Sequence, residues 1–195
     1  MSLVFGKIDR KNNTQSIYCD GMTTKGSDVM TRGATKITSF TTSNGYSVCA
    51  GFCGIWHLNN YFRLSLQKEF EKTFKQKPTI NNLECFLPQL FNSMLEDYMK
   101  IFHTPKNAPE QSEYYSALLI INGVFFLIEH FENESFHCAL IPDDIFADGQ
   151  GDTAAKCLLE NNVKPKKILK TISKYNLYVS DSLTAIENVS FVPFN

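Results

Sequence analysis

The sequence predicts a four-layer α-β-β-α sandwich of the α+β class, in which two antiparallel sheets stack face to face and helices cover both outer faces. Three observations predict this fold: short apolar segments come in groups, Asn-Gly turns join several of them, and pairs of amphipathic helices separate the groups. An alternating parallel fold would instead place one helix after each strand. We expect a single domain over residues 1–195.

The first group consists of four strands in two hairpins. Each strand is a short segment rich in apolar and β-forming residues, and Asn44-Gly45 between the last two tolerates the positive φ angles of a tight turn. The predicted strands are 4–8, 15–19, 35–42 and 46–51.

Two helices follow these strands. Apolar residues recur every three or four positions over 55–74, which is the period of an amphipathic helix. The second helix covers about 83–102, or starts later at Pro88, and His103-Thr104-Pro105 ends it.

Further strands, two more helices and two closing strands complete the chain. Asn122-Gly123 joins the first two of these strands, and Pro165 suits the first turn of the last helix. The predicted strands are 116–121, 124–130, 136–141, 177–179 and 189–192, and the predicted helices are 153–159 and 165–172.

Composition and charge argue against several classes of protein. Lys plus Arg number 19 and Asp plus Glu 20, so there is no excess of positive charge to bind nucleic acid. The apolar runs are too short to span a membrane and the first residues lack the pattern of a secretory signal, which predicts a cytoplasmic protein. Six scattered cysteines and an incomplete glycine loop at Gly149-Gln150-Gly151 predict neither a metal site nor a bound cofactor.

Four segments of the chain carry a family resemblance when they are taken together and in order. Their sequences are Cys19-Asp20-Gly21 with Lys36 following 16 residues after the aspartate, Ala50-Gly51-Phe52-Cys53-Gly54, Ser116-Ala117-Leu118 with Asn122-Gly123, and Gly149-Gln150-Gly151 with Ala154-Ala155. Together they resemble the proteasome β-subunit family, and most closely its bacterial HslV-type branch.

The resemblance implies an N-terminal-nucleophile hydrolase fold. In this family the first residue supplies a hydroxyl nucleophile, and its own α-amine acts as the general base. The resemblance places Lys36 beside that nucleophile, with Asp20 holding the lysine. It also places Gly54 at the amide that stabilises the oxyanion, and Ser116 at the serine that helps to fix the amine.

The nucleophile position departs from the family pattern. Counting back 16 residues from Asp20 reaches Val4, which has no hydroxyl and is preceded by three residues. This register predicts a subunit that has lost catalysis and acts in assembly, regulation or binding.

Two other residues could supply the missing hydroxyl. Removal of Met1 would give Ser2 a hydroxyl and a free amine, and would make the chain an active peptidase. Ser2 lies two residues from the expected position, which is about 6–7 Å along a strand, and residues 1–3 could instead be an expression leader. Cleavage before Thr23 would remove both opening strands together with Asp20.

The expected partners follow from the same resemblance. It implies a homo-oligomeric ring, an ATP-dependent unfoldase as a further partner, and a polypeptide substrate if the chain is active. We expect no nucleic acid and no membrane as partner. A third hypothesis, unrelated small-molecule chemistry on the same fold, has no sequence feature that supports it.

Overall fold

The computed structural model describes residues 2–25, 28–31, 33–75, 78–102, 115–130 and 135–194. Within them, two antiparallel sheets stack between two pairs of helices, which confirms the predicted α+β four-layer sandwich. The helices are α1 (Trp56–Thr73), α2 (Ile80–Phe102), α3 (Asp152–Glu160) and α4 (Pro165–Ile172). The strands are β1 (Leu3–Asp9), β2 (Thr14–Asp20), β3 (Thr23–Lys25), β4 (Asp28–Thr31), β5 (Ile37–Thr41), β6 (Ser47–Cys53), β7 (Tyr115–Ile121), β8 (Val124–His130), β9 (His137–Ile141), β10 (Ile145–Gly149) and β11 (Leu183–Ser190).

The two sheets differ in how they use the chain. The first sheet has the strand order β10-β1-β2-β11 and so combines both ends of the described chain. The second has the order β5-β6-β7-β8-β9, in which every strand pairs with its neighbour in sequence. Strands β3 and β4 form a separate two-stranded ribbon.

Three apolar layers hold the sandwich together. Along β1 the side chains alternate, so that Leu3 and Phe5 pack beneath α3 and α4 while Val4 points between the sheets. The layer between the sheets includes Val4, Ile17, Cys49, Leu118 and Phe125. The layer beneath α1 and α2 is rich in phenylalanine, with Phe62, Phe70, Phe91 and Phe126 fully buried.

Helix α2 begins earlier than the sequence predicts and continues through Pro88. Thr79 accepts a hydrogen bond from the Asn82 N–H at 3.3 Å, and the Asn82 side chain accepts one from the Thr79 N–H at 3.3 Å. These reciprocal bonds satisfy donors at the start of the helix, as in a capping box. The later start at Pro88 is therefore wrong, while the predicted end at His103-Thr104-Pro105 lies outside the described residues. None of the described helices is long and apolar enough to cross a membrane.

The last part of the chain differs most from the prediction. The predicted strand 177–179 is wrong: this segment is a turn, closed by a hydrogen bond from the Val179 N–H to the Asn176 carbonyl, and Leu177 is 87% exposed. The closing strand is β11, which lies earlier than the predicted 189–192. Strands β3, β4 and β10 were not predicted because they are short and lie among polar residues.

Candidate active site

A cavity of about 330 Å³ lies where β1 begins and where β6 and β10 end. Ser2 and Gly54, two residues singled out from the sequence, both line it. Its described lining consists of Ser2, Cys53, Gly54, Asp148, Gly149, Gln150 and Asp152.

Asp20 and Lys36 form a buried ion pair behind the cavity. The Lys36 Nζ donates to Asp20 Oδ1 at 3.1 Å, and the two side chains are 1% and 0% exposed. The same oxygen accepts the Leu3 N–H at 2.9 Å. Asp20 Oδ2 accepts the N–H groups of Met22 and Ser180 at 2.9 and 3.2 Å. The carboxylate is therefore fully hydrogen-bonded, as a buried charge requires.

The ion pair joins the two sheets. Asp20 ends β2 in the first sheet, and Lys36 directly precedes β5 in the second. The Lys36 carbonyl accepts the Phe52 N–H of β6 at 3.0 Å, which fixes the backbone from which the lysine side chain extends. Stacking of the two sheets thus brings the ammonium to the carboxylate that also contacts the start of β1.

Ser116 reaches the cavity through a residue that the sequence did not reveal. Its hydroxyl donates to Asp148 Oδ2, and the aspartate lines the cavity. Ser116 lies in β7 and Asp148 in β10, so this bond also crosses between the sheets. Asp148 directly precedes Gly149-Gln150-Gly151, and that glycine segment was the signal that could have identified it.

The peptide between Ser2 and Leu3 is held on both sides. Its N–H donates to Asp20, as described above, while its carbonyl accepts the Gln150 N–H at 2.9 Å. Gly149 has a φ of 96°, and a Cβ added there would lie 2.0 Å from the Ser2 carbonyl oxygen. The wall of the cavity can therefore approach Ser2 this closely only because residue 149 is glycine.

Cys53 and Gly54 form the wall opposite this segment. The Cys53 Sγ lies 3.7 Å from the Ser2 carbonyl oxygen and 3.8 Å from the Asp148 carbonyl oxygen. Burial, reinforced by the negative charge of Asp148, raises the pKa of this thiol well above its usual value, so it remains a neutral hydrogen-bond donor. Gly54 has a φ of 110°, in the region that favours glycine, where the chain leaves β6 for α1.

Val4, the residue that the sequence register places at the nucleophile position, is fully buried between the sheets and is not among the described residues that line the cavity, whereas Ser2 is. In the β1–β2 hairpin Val4 pairs with Cys19, so Asp20 reaches the residue before it, Leu3.

Of the residues predicted for the site, the structure brings Ser2 and Gly54 to the cavity. It places Asp20 and Lys36 behind the Ser2–Leu3 peptide and links Ser116 to the cavity through Asp148. Thr23, the other candidate terminus, lies in β3 and is not among the described lining residues.

Two stacked antiparallel sheets between helix pairs, with the start of β1 at a cavity, form a proteasome-like fold. Three solved structures that share this fold are Anbu (ancestral beta-subunit) proteins. The Yersinia bercovieri protein is 12% identical with a TM-score of 0.59, over 96% of this chain and 81% of its own. An Anbu (Gly-1) mutant from Hyphomicrobium sp. strain MC1 is 11% identical with a TM-score of 0.60, over 100% of this chain and 85% of its own. The Pseudomonas aeruginosa Anbu complex, described as a helical assembly, is 14% identical with a TM-score of 0.59, over 96% and 80%.

These comparisons correct the resemblance drawn from the sequence. The three structures described above share the fold over nearly the whole chain and are Anbu proteins, so the assignment to proteasome β-subunits and their HslV-type branch is wrong. The segments that suggested it lie at strand ends and turns, and those at Gly54 and Gly149-Gln150 line the cavity. Glycine at such turns is favoured by backbone geometry, so it does not separate one group of proteins from another. No family model matches the sequence, and no curated protein matches it either.

Proposed function

We propose that this chain is an N-terminal-nucleophile hydrolase that cleaves amide bonds in polypeptides, with Ser2 as the nucleophile when it is the first residue. The observation that carries the proposal is the position of Ser2. It lines the cavity together with Gly54, and the peptide that follows it donates to the carboxylate that holds Lys36.

The proposed mechanism uses the free α-amine of Ser2 as the general base. The amine takes the proton from Ser2 Oγ as that oxygen attacks the substrate carbonyl, and it then passes the proton to the leaving amine. Water hydrolyses the resulting ester and regenerates the serine. The nearby Lys36 ammonium favours the deprotonated form of both the amine and the hydroxyl. The Gly54 amide at the cavity wall stabilises the oxyanion.

The hypothesis of a subunit without catalysis rested on Val4 at the nucleophile position. Val4 lies in the layer between the sheets. Ser2, the alternative nucleophile, lies two residues away from the position that the sequence register gives. Its place in the lining of the cavity supports the proposal that Ser2 acts as the nucleophile.

We also propose that the chain acts as a single domain in a homo-oligomer. Large apolar side chains are exposed at the end of α2, where Ile101 and Phe102 are 60% and 56% exposed, and such surfaces favour association. The described P. aeruginosa assembly shows that a protein of this fold can associate. A closed ring and an ATP-dependent unfoldase partner stay predictions.

Intact-mass spectrometry with a peptide epoxyketone tests the proposed nucleophile. This reagent forms its stable adduct with a terminal amine and an adjacent hydroxyl, so we expect loss of Met1 and one adduct per chain. Ser2→Ala should abolish the adduct and Ser2→Thr should keep it. Ser43→Ala, which changes an exposed serine in the β5–β6 turn, is the matched control and should react like the wild type. Retention of Met1, or a free Ser2 that forms no adduct, would contradict the proposal.

A further inference from the structure

Positive charge is concentrated in residues 161–180, which contain five lysines and neither aspartate nor glutamate. The chain as a whole has 19 basic and 20 acidic side chains. The 14 basic side chains elsewhere therefore face all 20 acidic ones, which gives the rest of the chain a net charge of −6. One short segment thus differs in charge from everything around it. Its lysines are Lys164, Lys166, Lys167, Lys170 and Lys174.

Helix α4 presents these lysines to solvent. Its apolar residues Ile168, Leu169 and Ile172 are buried against the first sheet, whereas all five lysines are exposed. In the described part of the chain, the ion pairs of 4.0 Å or less include none of these lysines. Their ammonium groups are therefore available to an anionic partner.

Three of the lysines do not stabilise the helix that carries them. Lys164 is the N-cap of α4, and Lys166 and Lys167 lie in its first turn, where the helix dipole disfavours positive charge. The first turn contains no acidic residue, and no side chain caps it. Helix formation therefore does not account for this charge, and a bound carboxylate would offset it.

Exposed apolar side chains adjoin the lysines. Tyr175 and Leu177 are each 87% exposed, and Tyr178 is 40% exposed. They follow directly after α4, so they extend its charged face. We refer to the five lysines and these three residues as the α4 surface. Ammonium groups beside apolar side chains fit a polypeptide segment that has both carboxylates and apolar residues.

The α4 surface continues to the wall of the cavity. Asn176 lies between the exposed Tyr175 and Leu177, and its Nδ2 donates to Gln150 Oε1 at 3.3 Å. Gln150 in turn lines the cavity. The end of α4 packs at the same place, since a Cβ added to Gly151 would lie 2.8 Å from Ile172 Cγ2. A polypeptide held in the cavity can therefore extend over the α4 surface.

We propose that the α4 surface binds an acidic segment of the polypeptide substrate, together with apolar residues next to that segment. The lysines attract the carboxylates, and Tyr175 and Leu177 contact the apolar residues. The eight residues of α4 span about 12 Å, which an extended peptide covers with about four residues. The inference rests on the proposed function, because that function makes the bound polypeptide a substrate.

Fluorescence anisotropy of labelled peptides tests this binding without any need for activity. The protein is the full chain with Ser2→Ala, which should leave the probe uncleaved. The probe carries four consecutive glutamates followed by a leucine and a phenylalanine. Two matched peptides have lysines in place of the glutamates, or serines in place of the two apolar residues. We expect the probe to bind about tenfold more tightly than either, and its binding to weaken as salt screens the charges.

Charge reversal locates the binding on α4. Lys166→Glu combined with Lys170→Glu should weaken binding of the probe about tenfold or more, because attraction becomes repulsion. Lys68→Glu combined with Lys75→Glu is the matched control. It makes the same change in net charge at two exposed lysines in and just after α1, in the opposite helical layer, and should leave the affinity unchanged.

A second pair of variants tests the apolar contact. Leu177→Ser should weaken binding of the probe about threefold or more, because the leucine of the probe loses apolar surface to cover. Leu64→Ser, which changes a leucine that is 66% exposed on α1, is the control and should bind like the parent protein. Both positions are exposed, so we expect the fold to be preserved.

Several outcomes would overturn the proposal. These are equal affinity for the acidic and the lysine-containing peptides, or equal losses in the α4 variants and their controls. Vesicles of phosphatidylcholine with phosphatidylserine, and duplex DNA, serve as further anionic probes. Binding to either of these without binding to the acidic peptide would assign the lysines to a membrane or to nucleic acid, and would also overturn the proposal.

Kinetics of the active chain connect binding with hydrolysis. Lys166→Glu with Lys170→Glu should raise KM about tenfold for a substrate with an acidic segment while kcat stays the same, because uniform binding is lost. A short substrate without that segment should show no change. If the wild type forms no epoxyketone adduct, the proposed function fails, while anisotropy still decides whether the α4 surface binds acidic polypeptides. Adduct formation together with an unchanged KM for the acidic substrate would overturn this inference alone.

Discussion

Gly149 lies against the start of β1 with no space for a side chain. We therefore expect Gly149→Ala to lower both the stability of the fold and the activity of the site. Its added Cβ would lie 2.0 Å from the Ser2 carbonyl oxygen, and its φ of 96° is strained for alanine. We predict a loss of about 1–3 kcal/mol in the free energy of unfolding and at least a 100-fold loss of activity, measured by urea denaturation and by the rate of epoxyketone adduct formation. Gly45→Ala is the matched control, because Gly45 has a φ of 83° but open space around it. Equal adduct rates in the two variants would contradict the prediction.

Lys36 compensates the buried charge of Asp20, so we expect Lys36→Met to destabilise the protein strongly. Removal of one partner leaves a buried carboxylate without its cation, which costs about 3–5 kcal/mol in the free energy of unfolding. Lys100→Met is the control, because the Lys100 side chain is 70% exposed and pairs only with surface carboxylates. Urea denaturation should show a change of less than about 1 kcal/mol for this control. Similar losses in both variants would show that the buried pair does not stabilise the fold.

Single residues of the site could be predicted only where they belong to a short motif. Asp20, Gly54 and Ser116 each stand in such a segment. Asp148 and Gln150 acquire their roles from distant partners such as Cys53 and the Ser2 carbonyl, and the glycine segment beside them is the local signal for their position. Their contribution depends on strand pairing between β1 and β10, which joins distant parts of the chain.

At the scale of elements, the layer between the two sheets holds thiols that should make the fold sensitive to alkali. Burial raises the pKa of Cys19 in β2 to about 11 and the pKa of Cys49 in β6 to about 11, from an ordinary value of 9.0. The unfolded chain loses these protons near pH 9, whereas the folded protein keeps them until about pH 11. The folded state therefore binds more protons in this window, and the free energy of unfolding falls as the pH rises through it.

We predict a loss of roughly 2–3 kcal/mol for each of these thiols between pH 9 and pH 11. Urea denaturation at a series of pH values measures it. The dependence on pH should become shallower in Cys19→Ala and in Cys49→Ala, while Cys157→Ala, which changes an exposed cysteine, serves as the control. A wild-type protein equally stable at pH 8.5 and pH 10.5 would refute this prediction.

The elements that the sequence predicted well have a strong period or a clear turn. Helix α1 shows the helical spacing of phenylalanines, and β7 and β8 flank an Asn-Gly turn in which Asn122 has a φ of 46°. Strand β10 shows neither signal, because it gains its place by pairing with β1. Segment 177–179 has apolar residues but forms a turn, and Leu177 remains exposed. Local composition could not reveal either outcome, since both depend on tertiary contacts.

At the scale of the whole molecule, we predict association into a homo-oligomer. Light scattering coupled to size-exclusion chromatography at micromolar concentration should give a mass that is a multiple of the 22.2 kDa chain. Association through apolar surface should persist at high salt, because salt screens charges but does not weaken apolar contacts. A mass of one chain at every concentration tested would contradict the prediction.

The layered architecture was predictable because it follows from the order of strand groups and helix pairs. This order stays the same when a single strand is missed or wrongly predicted. Three strands went unpredicted and one predicted strand is absent among the described residues, yet the four layers are as expected. The resemblance to one family branch failed, because proteins of different branches share the same strands and layers.

Two polar links of the site cross from one sheet to the other. Lys36 with Asp20, and Ser116 with Asp148, each take one partner from either sheet. Neither sheet alone contains a complete pair, so a nascent chain with only one sheet formed has no assembled site. If the chain is the hydrolase that we propose, its activity requires both sheets to be docked, and a newly made polypeptide is protected from its own chemistry until they are.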